Sequence, residues 1–351
     1  MSELISEELT LLPSHQINRH LPLNYKEGEL DFCKKEFSYR TYDVKLKKFI
    51  NAIVNRKGFL YDSNFSIVND SLVFVPHYEG YFIFKHFLKK VFLKSKISLK
   101  EDCLLCFDDW GHNHYHWFCD TLPRIFTVKN QLKDYTLLLP DYPYVREVGI
   151  ETLKLLDLHP KRIYFIKENE LIKAKTVTLI TKTALSGYIN DSLIADIGKQ
   201  FGKLFNRSIS KGKKLYISRQ NAKYRKVLNE DEVVELMKSF DFEIVNYEDF
   251  SLQEQMEITS KCDTLVGIHG AGLTNMIYMP QGSKVLEFRR DKIYHNQCYW
   301  HLADALKLKY YYLFGTPDQE DLIIEGDGCN LTINIAKLTA ILEQMEQGQS
   351  A

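Results

Sequence analysis

Thr264-Leu265-Val266-Gly267-Ile268-His269-Gly270-Ala271-Gly272-Leu273-Thr274-Asn275 is an apolar run that breaks into glycines and then resumes. The pattern predicts a strand over 264–268, a glycine turn, and a helix from about Leu273. Glycines in such a turn let the backbone approach a ligand closely. The exposed amides and the positive helix end then suit a phosphate. His269 and Thr274 add side-chain donors. A tight strand-helix junction that merely needs small residues would be spelled the same way. The next strand, 284–288, carries Glu287 at its tip. That acid can grip ribose hydroxyls or be an ordinary strand-end glutamate.

Outward from this turn, strands and helices alternate. After the polar stretch that follows Asn206, strands are expected at 215–218, 242–245, 264–268, 284–288 and 310–314. Helices are expected at 230–240 (capped by Asn229), 251–261 (capped by Ser251), 295–306 and 334–347, the last closing the chain. Before Asn206 the same rhythm runs through strands at 103–107, 135–140, 162–166 and 177–180. Helices at 114–129, 145–158 and 192–205 lie between them. Alternation of this kind builds a parallel sheet with helices on its faces. The fold class expected is therefore α/β, with two Rossmann-like domains facing a cleft and a closing C-terminal helix. The boundaries are 1–206 for the N-terminal acceptor-side domain and 207–351 for the C-terminal domain, with 1–60 irregular. A hairpin is expected at 65–75. A lysine-rich amphipathic helix is expected at 81–100, able to pack with a solvated basic face or to touch an anionic membrane.

Composition agrees and excludes several classes. At ~100–200 residues per domain, 351 residues make about two domains. Lysine plus arginine equals aspartate plus glutamate at 46 each, so a duplex-coating nucleic-acid protein is not expected. No apolar run reaches the ~18 residues of a membrane span. The first residues are acidic, with Glu3, Glu7 and Glu8, rather than a basic start followed by an apolar stretch. Seven scattered cysteines, an odd number, fit a reducing compartment. The location expected is cytoplasmic, with peripheral contact at the inner membrane face through the lysine-rich segment.

Two further clusters carry chemistry. Ser218-Arg219 closes the strand 215–218, with Arg225 six residues on and Asn229-Glu230 beyond. A guanidinium there can fork onto a diphosphate and neutralise a departing nucleotide without metal. In the first half, Asn113-His114-Tyr115-His116-Trp117-Phe118-Cys119-Asp120-Thr121-Leu122-Pro123-Arg124 spaces His112, His116 and Asp120 at i, i+4 and i+8. They share a helix face if the helix starts early enough. A His-carboxylate pair in register can act as a general base. The same set can ligate zinc, though a fourth ligand is missing, or His116 and Trp117 can simply pack. The chain has no Asp-x-Asp triplet, so no obligatory metal or other cofactor is expected.

Together, Asn113-x-x-His116-Trp117-x-x-Asp120-x-Leu122-Pro123-Arg124, Ile217-Ser218-Arg219 with Arg225 and Asn229-Glu230, His269 to Asn275, and Glu287 resemble glycosyltransferase family 61 in order and spacing. The resemblance covers about 103–315. It implies a GT-B fold, an inverting mechanism and a UDP-sugar donor. Lacking an export signal, the chain looks like a bacterial branch that builds capsule or lipopolysaccharide glycans. The expected donor site is Arg219, Arg225, His269, Gly270, Ala271, Gly272, Leu273, Thr274 and Asn275 on the diphosphate, with Glu287 on the ribose. Asp120 is the first choice of base, with His116 second or orienting it. Asn113, Trp117, Arg124 and Ser218 support. The partners expected are a nucleotide-sugar and a glycan or lipid-linked glycan acceptor. A NAD(P)-binding oxidoreductase and a non-catalytic glycan-binding protein are the competing readings. Oligomeric state is not legible.

Overall fold

The computed structural model describes residues 5–73, 95–205, 212–290, 297–319 and 329–347. The chain divides into two compact units. One is Met1–His15 with Arg40–Ser186, and the other is Gln16–Tyr39 with Gly187–Ala351. Neither follows the expected cut at 206/207.

The first unit is a seven-stranded mixed sheet. Its strands are β1 (Ile5–Leu12), β2 (Val44–Asn55), β3 (Leu60–Tyr61), β4 (Ser95–Leu105), β5 (Thr136–Pro140), β6 (Arg162–Ile166) and β7 (Glu170–Ile180). The order is β1-β2-β7-β4-β5-β6, with β3 beside β2. β7, β4, β5 and β6 are parallel, while β1 and β2 run against their neighbours. Phe49, Val54, Cys103, Leu105, Leu138, Ile172 and Val177 fill its core. Cys103 and Cys106 are packing residues, and burial pushes both thiols up to about 12.

Among the described residues, 5–60 are not irregular throughout. The acidic start forms a strand because its glutamates meet lysines across the ladder. Glu8 pairs in register with Lys47 and bonds Lys45 Nζ at 2.6 Å. Asn51, at φ 54°, interrupts the alternation of β2 and hides it from a period-2 reading. The hairpin expected at 65–75 lies partly outside the described residues, and over 65–73 the chain is instead turns. Asp62 Oδ1 accepts the amides of Asn64 (2.8 Å) and Ser66 (2.9 Å), and Phe65 takes a left-handed φ of 61°. Most of the expected lysine-rich helix, 81–94, lies outside the described residues. Its last part, 95–100, is strand β4. Among the described residues, no helix is long and apolar enough to cross a membrane.

Helix α1 follows β4 in three continuous pieces: His114–His116, a π turn at Trp117–Thr121, and Leu122–Thr127. Helix α2 follows β5, as a π turn Val145–Gly149 running into Ile150–Leu155. The two helices meet at Trp117, which is fully buried. A Cβ on Gly149 would stand 3.0 Å from the Trp117 ring, so any side chain there would crowd the indole.

The second unit carries five parallel strands: β8 (Lys213–Ile217), β9 (Phe242–Val245), β10 (Cys262–Ile268), β11 (Lys284–Arg289) and β12 (Lys309–Phe314). They stand in the order β9-β8-β10-β11-β12. Its helices are α3 (Asp191–Leu204), α4 (Glu230–Ser239), α5 (Leu252–Ser260), α6 (Cys298–Ala305) and α7 (Ile335–Gln347), with a 3-10 helix at Ala271–Tyr278. Leu338, Leu342 and Met345 of the closing helix α7 join Val233 and Met237 of α4 in one core with the sheet. Ser251 caps α5 through a full capping box with Glu254. Asn229 does not cap α4. Its side chain is held instead by the backbone of Ile333, at 2.9 Å in both directions.

Residues 187–206 belong here because α3 packs on this sheet's helices. Phe201 meets the Tyr278 ring at 5.0 Å. Gln16–Tyr39 belongs here because it covers the edge strand β12. The Asn24 side chain donates to Tyr312 O (2.7 Å) and accepts the Tyr312 amide (3.1 Å), and the Leu23 amide donates to Tyr310 O (2.9 Å). Buried Arg19 then binds Asp191 of α3 at 2.7 Å.

The Trp117 contact makes a testable claim about motif and fold. Trp117→Ala should cost about 3–5 kcal/mol of stability in urea or thermal unfolding, as a truncated core aromatic does. A loss below about 1 kcal/mol would contradict a packing role.

Candidate functional site

In the first unit the site forms at the π turn of α1. His116 and Asp120, four apart, share its face there, with His116 Nδ1 2.7 Å from Asp120 Oδ2. Ser186, six residues past the end of β7, donates to the same carboxylate oxygen at 3.0 Å. The indole of Trp110 lies 5.0 Å from the imidazole, centre to centre. Burial would push His116 down, but the hydrogen bond and charge of Asp120, backed by Asp108, hold it above its ordinary value. Nδ1 is therefore the protonated nitrogen facing the carboxylate, and Nε2 points away from it. His112 is not on this face. The helix begins at His114, and His112 stacks on Tyr142 at 4.2 Å.

Three supporting residues sit elsewhere than expected. Arg124 is 1% exposed. Its Nε donates to Ile180 O (2.8 Å), and Nη1 stands 3.5 Å from buried Asp108. It is a strut that ties α1 to the end of β7, not a residue open to an acceptor. Trp117 is core. The Asn113 carbonyl accepts the Trp117 amide at 2.8 Å, but its exposed side chain makes no cap bond.

In the second unit the chain runs from β8 out to β9 and returns to β10 on the far side of β8. The carboxyl ends of β8 and β10 thus flank a topological switch point, where α/β sheets leave a crevice for ligands. Arg219 leaves β8 there and Gly270 leaves β10. A Cβ on Gly270 would stand 3.0 Å from Arg219 Nη1, so the guanidinium lies against a bare backbone. Arg219 Nε donates to Arg225 O and Nη2 to Tyr224 O, each at 3.1 Å. Glu230 accepts the Arg219 amide at 3.3 Å and the Tyr216 hydroxyl at 3.2 Å. Ser218 is buried and accepts the Gln220 amide at 3.2 Å, shaping the same turn. Burial, and then repulsion from Arg225, weakens Arg219's hold on its proton. Arg225 itself carries a left-handed φ of 57°, a strain of about 1–3 kcal/mol of the kind that gathers at functional sites.

Past Gly270, Ala271 and Gly272 open the 3-10 helix with first-turn amides that no carbonyl of that helix can take. Leu273, Thr274 and Asn275 turn inward and are buried. The Asn275 amide donates to Gln255 Oε1 at 3.0 Å. These three anchor the loop and do not face a ligand.

Glu287 departs from expectation. It is 1% exposed, and both carboxylate oxygens are taken, one by His269 Nδ1 and one by the Tyr310 hydroxyl. It cannot reach a ribose. Facing inward from β11, it fixes the His269 ring. Burial, with the charges of Arg225, Arg289 and Arg219, holds His269 well below the usual imidazole value, so the ring donates to Glu287 as a neutral group. This also removes the acid on which a dinucleotide-binding reading relied. Ser186 and Tyr310 were not singled out in the sequence. Each is distant in the chain from its partner and belongs to no motif.

The model for the family described as Glycosyltransferase 61 matches residues 114–286. Among curated proteins, the EGF domain-specific O-linked N-acetylglucosamine transferase of Drosophila melanogaster is 36% identical over 115 residues, 32% of this chain and 21% of its own. The protein of the same name from Mus musculus is 31% identical over 232 residues, 58% of this chain and 43% of its own. That from Bos taurus is 33% identical over 226 residues, 56% and 41%. The chain thus spans less than half the length of these relatives. They are animal proteins, which takes away the expected bacterial capsule or lipopolysaccharide branch. The match over residues 114–286, just under half of the chain, and these relatives support a glycosyltransferase similar to family 61.

Proposed function

We propose that the chain transfers a sugar from a nucleotide diphosphate donor, a UDP-sugar, to an acceptor hydroxyl with inversion at the anomeric carbon. The observation that carries this is the Arg219 guanidinium lying against Gly270 at the switch point of the second unit. Two arginines, two open amides and a strained backbone converge there, an arrangement that suits a diphosphate. The GT-B fold class belongs to this proposal. The relatives are named as N-acetylglucosamine transferases, which makes UDP-N-acetylglucosamine the first donor to assay.

His116 is the base and Asp120 its orienter, reversing the order expected from the sequence. Asp120 holds Nδ1–H, as the carboxylate does in a Ser-His-Asp triad, and leaves Nε2 for the acceptor proton. The acceptor oxygen attacks the anomeric carbon as Nε2 takes its proton. The bond to the donor diphosphate breaks on the opposite face, and UDP leaves with the electron pair. Arg219, Arg225 and the amides of Ala271 and Gly272 meet its charge without a metal.

Three outcomes are expected. Arg219→Ala should lose UDP binding in calorimetry. Gly270→Ala, whose methyl displaces only the tip of a flexible side chain, should weaken UDP with little change in melting temperature. Unaltered UDP affinity in both would contradict the cradle. Next, kcat/KM should rise with pH through a midpoint above about 6.5, because the raised imidazole must be neutral to act. Asp120→Asn should cut kcat by about 10²–10⁴-fold and move the midpoint down, since the charge that holds the proton is gone. A midpoint that Asp120→Asn leaves in place would contradict the pairing. Finally, turnover should persist in excess chelator, and its abolition would return the charge neutralisation to a metal.

A further inference from the structure

The first unit, which carries His116 and Asp120, has a hollow of about 560 Å³ at the ends of its sheet strands. β4 and β7 are parallel and end together, Leu105 opposite Leu179. The segment into α1 and the segment 181–186 therefore leave the sheet on the same side. β2 begins there too. The Thr181 amide donates to Lys45 O at 2.9 Å, and the Lys45 amide to Thr181 Oγ1 at 2.8 Å. The hollow is bounded by these ends. Tyr42 and Leu185 supply apolar surface, 43% and 39% exposed. Asn69, Asp70 and Lys47 supply a polar rim, with Lys47 Nζ 2.7 Å from Asp70.

The hollow and the His116-Asp120 pair share a wall. Leu185 lines the hollow, and the next residue, Ser186, donates to Asp120. Lys182 also lines it, donates to Val73 O, and lies within the field of Asp108 and Asp120 as well as of Asp70. The segment 182–186 thus joins the hollow to the carboxylate that orients the proposed base.

We infer that this hollow is the acceptor subsite and that it takes a sugar, stacked on Tyr42 and Leu185 with its hydroxyls on Asn69, Asp70 and Lys47. The inference rests on the transferase reading. The chemistry is that of a carbohydrate: one apolar C–H face and a hydroxyl rim meet one aromatic with its aliphatic neighbour and a ring of amide, carboxylate and ammonium groups. The volume lies in the range of small-ligand pockets, about 300–1,000 Å³. A folded protein acceptor would bury a larger contact, about 800 Å² per partner.

The test uses the full chain with UDP-N-acetylglucosamine and a panel of methyl glycosides. UDP release is measured with and without glycoside, and glycoside binding by saturation-transfer NMR. Tyr42 and Leu185 are exposed, so Tyr42→Ala and Leu185→Ala should keep the melting temperature. At least one glycoside should bind and accelerate UDP release over donor hydrolysis. Each variant should raise that glycoside's KM about tenfold, the size of a lost stacking contact. Donor KM and donor-only hydrolysis should not change. Unchanged glycoside KM and unchanged NMR contacts in both variants, with donor hydrolysis intact, would overturn the subsite and leave the transferase reading standing. Glycosylation of a folded EGF-type domain with no glycoside bound would likewise overturn it. Absence of any donor turnover or donor binding in the parent chain would remove the transferase reading, and the subsite with it.

Discussion

Everything proposed for the second unit depends on one close approach: a guanidinium against a glycine. Arg219 reaches Gly270 because strand β8 and strand β10 are neighbours whose following segments diverge to opposite sides. Its side-chain bonds go to the carbonyls of Tyr224 and Arg225, and the strongest charge acting on it is that of Arg225, ahead of Glu248 and Glu230. A half-buried guanidinium held by neutral carbonyls is costly in isolation and favourable once an anion arrives. Binding and local electrostatics are thus the same fact. The buried Glu287, which balances Arg289 and holds His269, keeps the rest of that region rigid without placing negative charge in the crevice.

In the first unit the constraint is helical. A regular helix already brings positions four apart onto one face, but the π turn at Trp117–Thr121 sets how His116 and Asp120 meet. Trp117 beneath Gly149 and Arg124 beneath Asp108 hold that turn in place. The residues of this motif therefore divide into two roles. His116 and Asp120 face a partly open site, while Trp117 and Arg124 lie under it. A spacing rule cannot separate the two, because both sets are polar or aromatic and both lie in the same short stretch.

The alternation of strands and helices was legible from about residue 103 to the end, and strands such as Arg162–Ile166 and Phe242–Val245 have the bounds expected. Local pattern suffices where an element is apolar and bounded by turns. It fails where tertiary charge pairing makes the element. Glu8 with Lys45 turned an acidic start into an edge strand, and Asn24 with Tyr312 sent residues 16–39 to the second unit. The domain boundary was misread for that reason, since the change of unit falls at Ser186/Gly187, ahead of the polar stretch after Asn206. At the site, the glycine turn and the arginines were readable because their chemistry is local. Glu287 was not, because its direction depends on Tyr310 and His269 across the sheet, and Ser186 was not, because it meets Asp120 only through the fold.

The most direct measurement is a crystal structure of the chain with UDP. The account predicts the diphosphate on the amides of Ala271 and Gly272, with Arg219 forked onto it and its side chain swung from the carbonyls of Tyr224 and Arg225. UDP bound elsewhere in the second unit, with Arg219 still lying on Gly270, would contradict it.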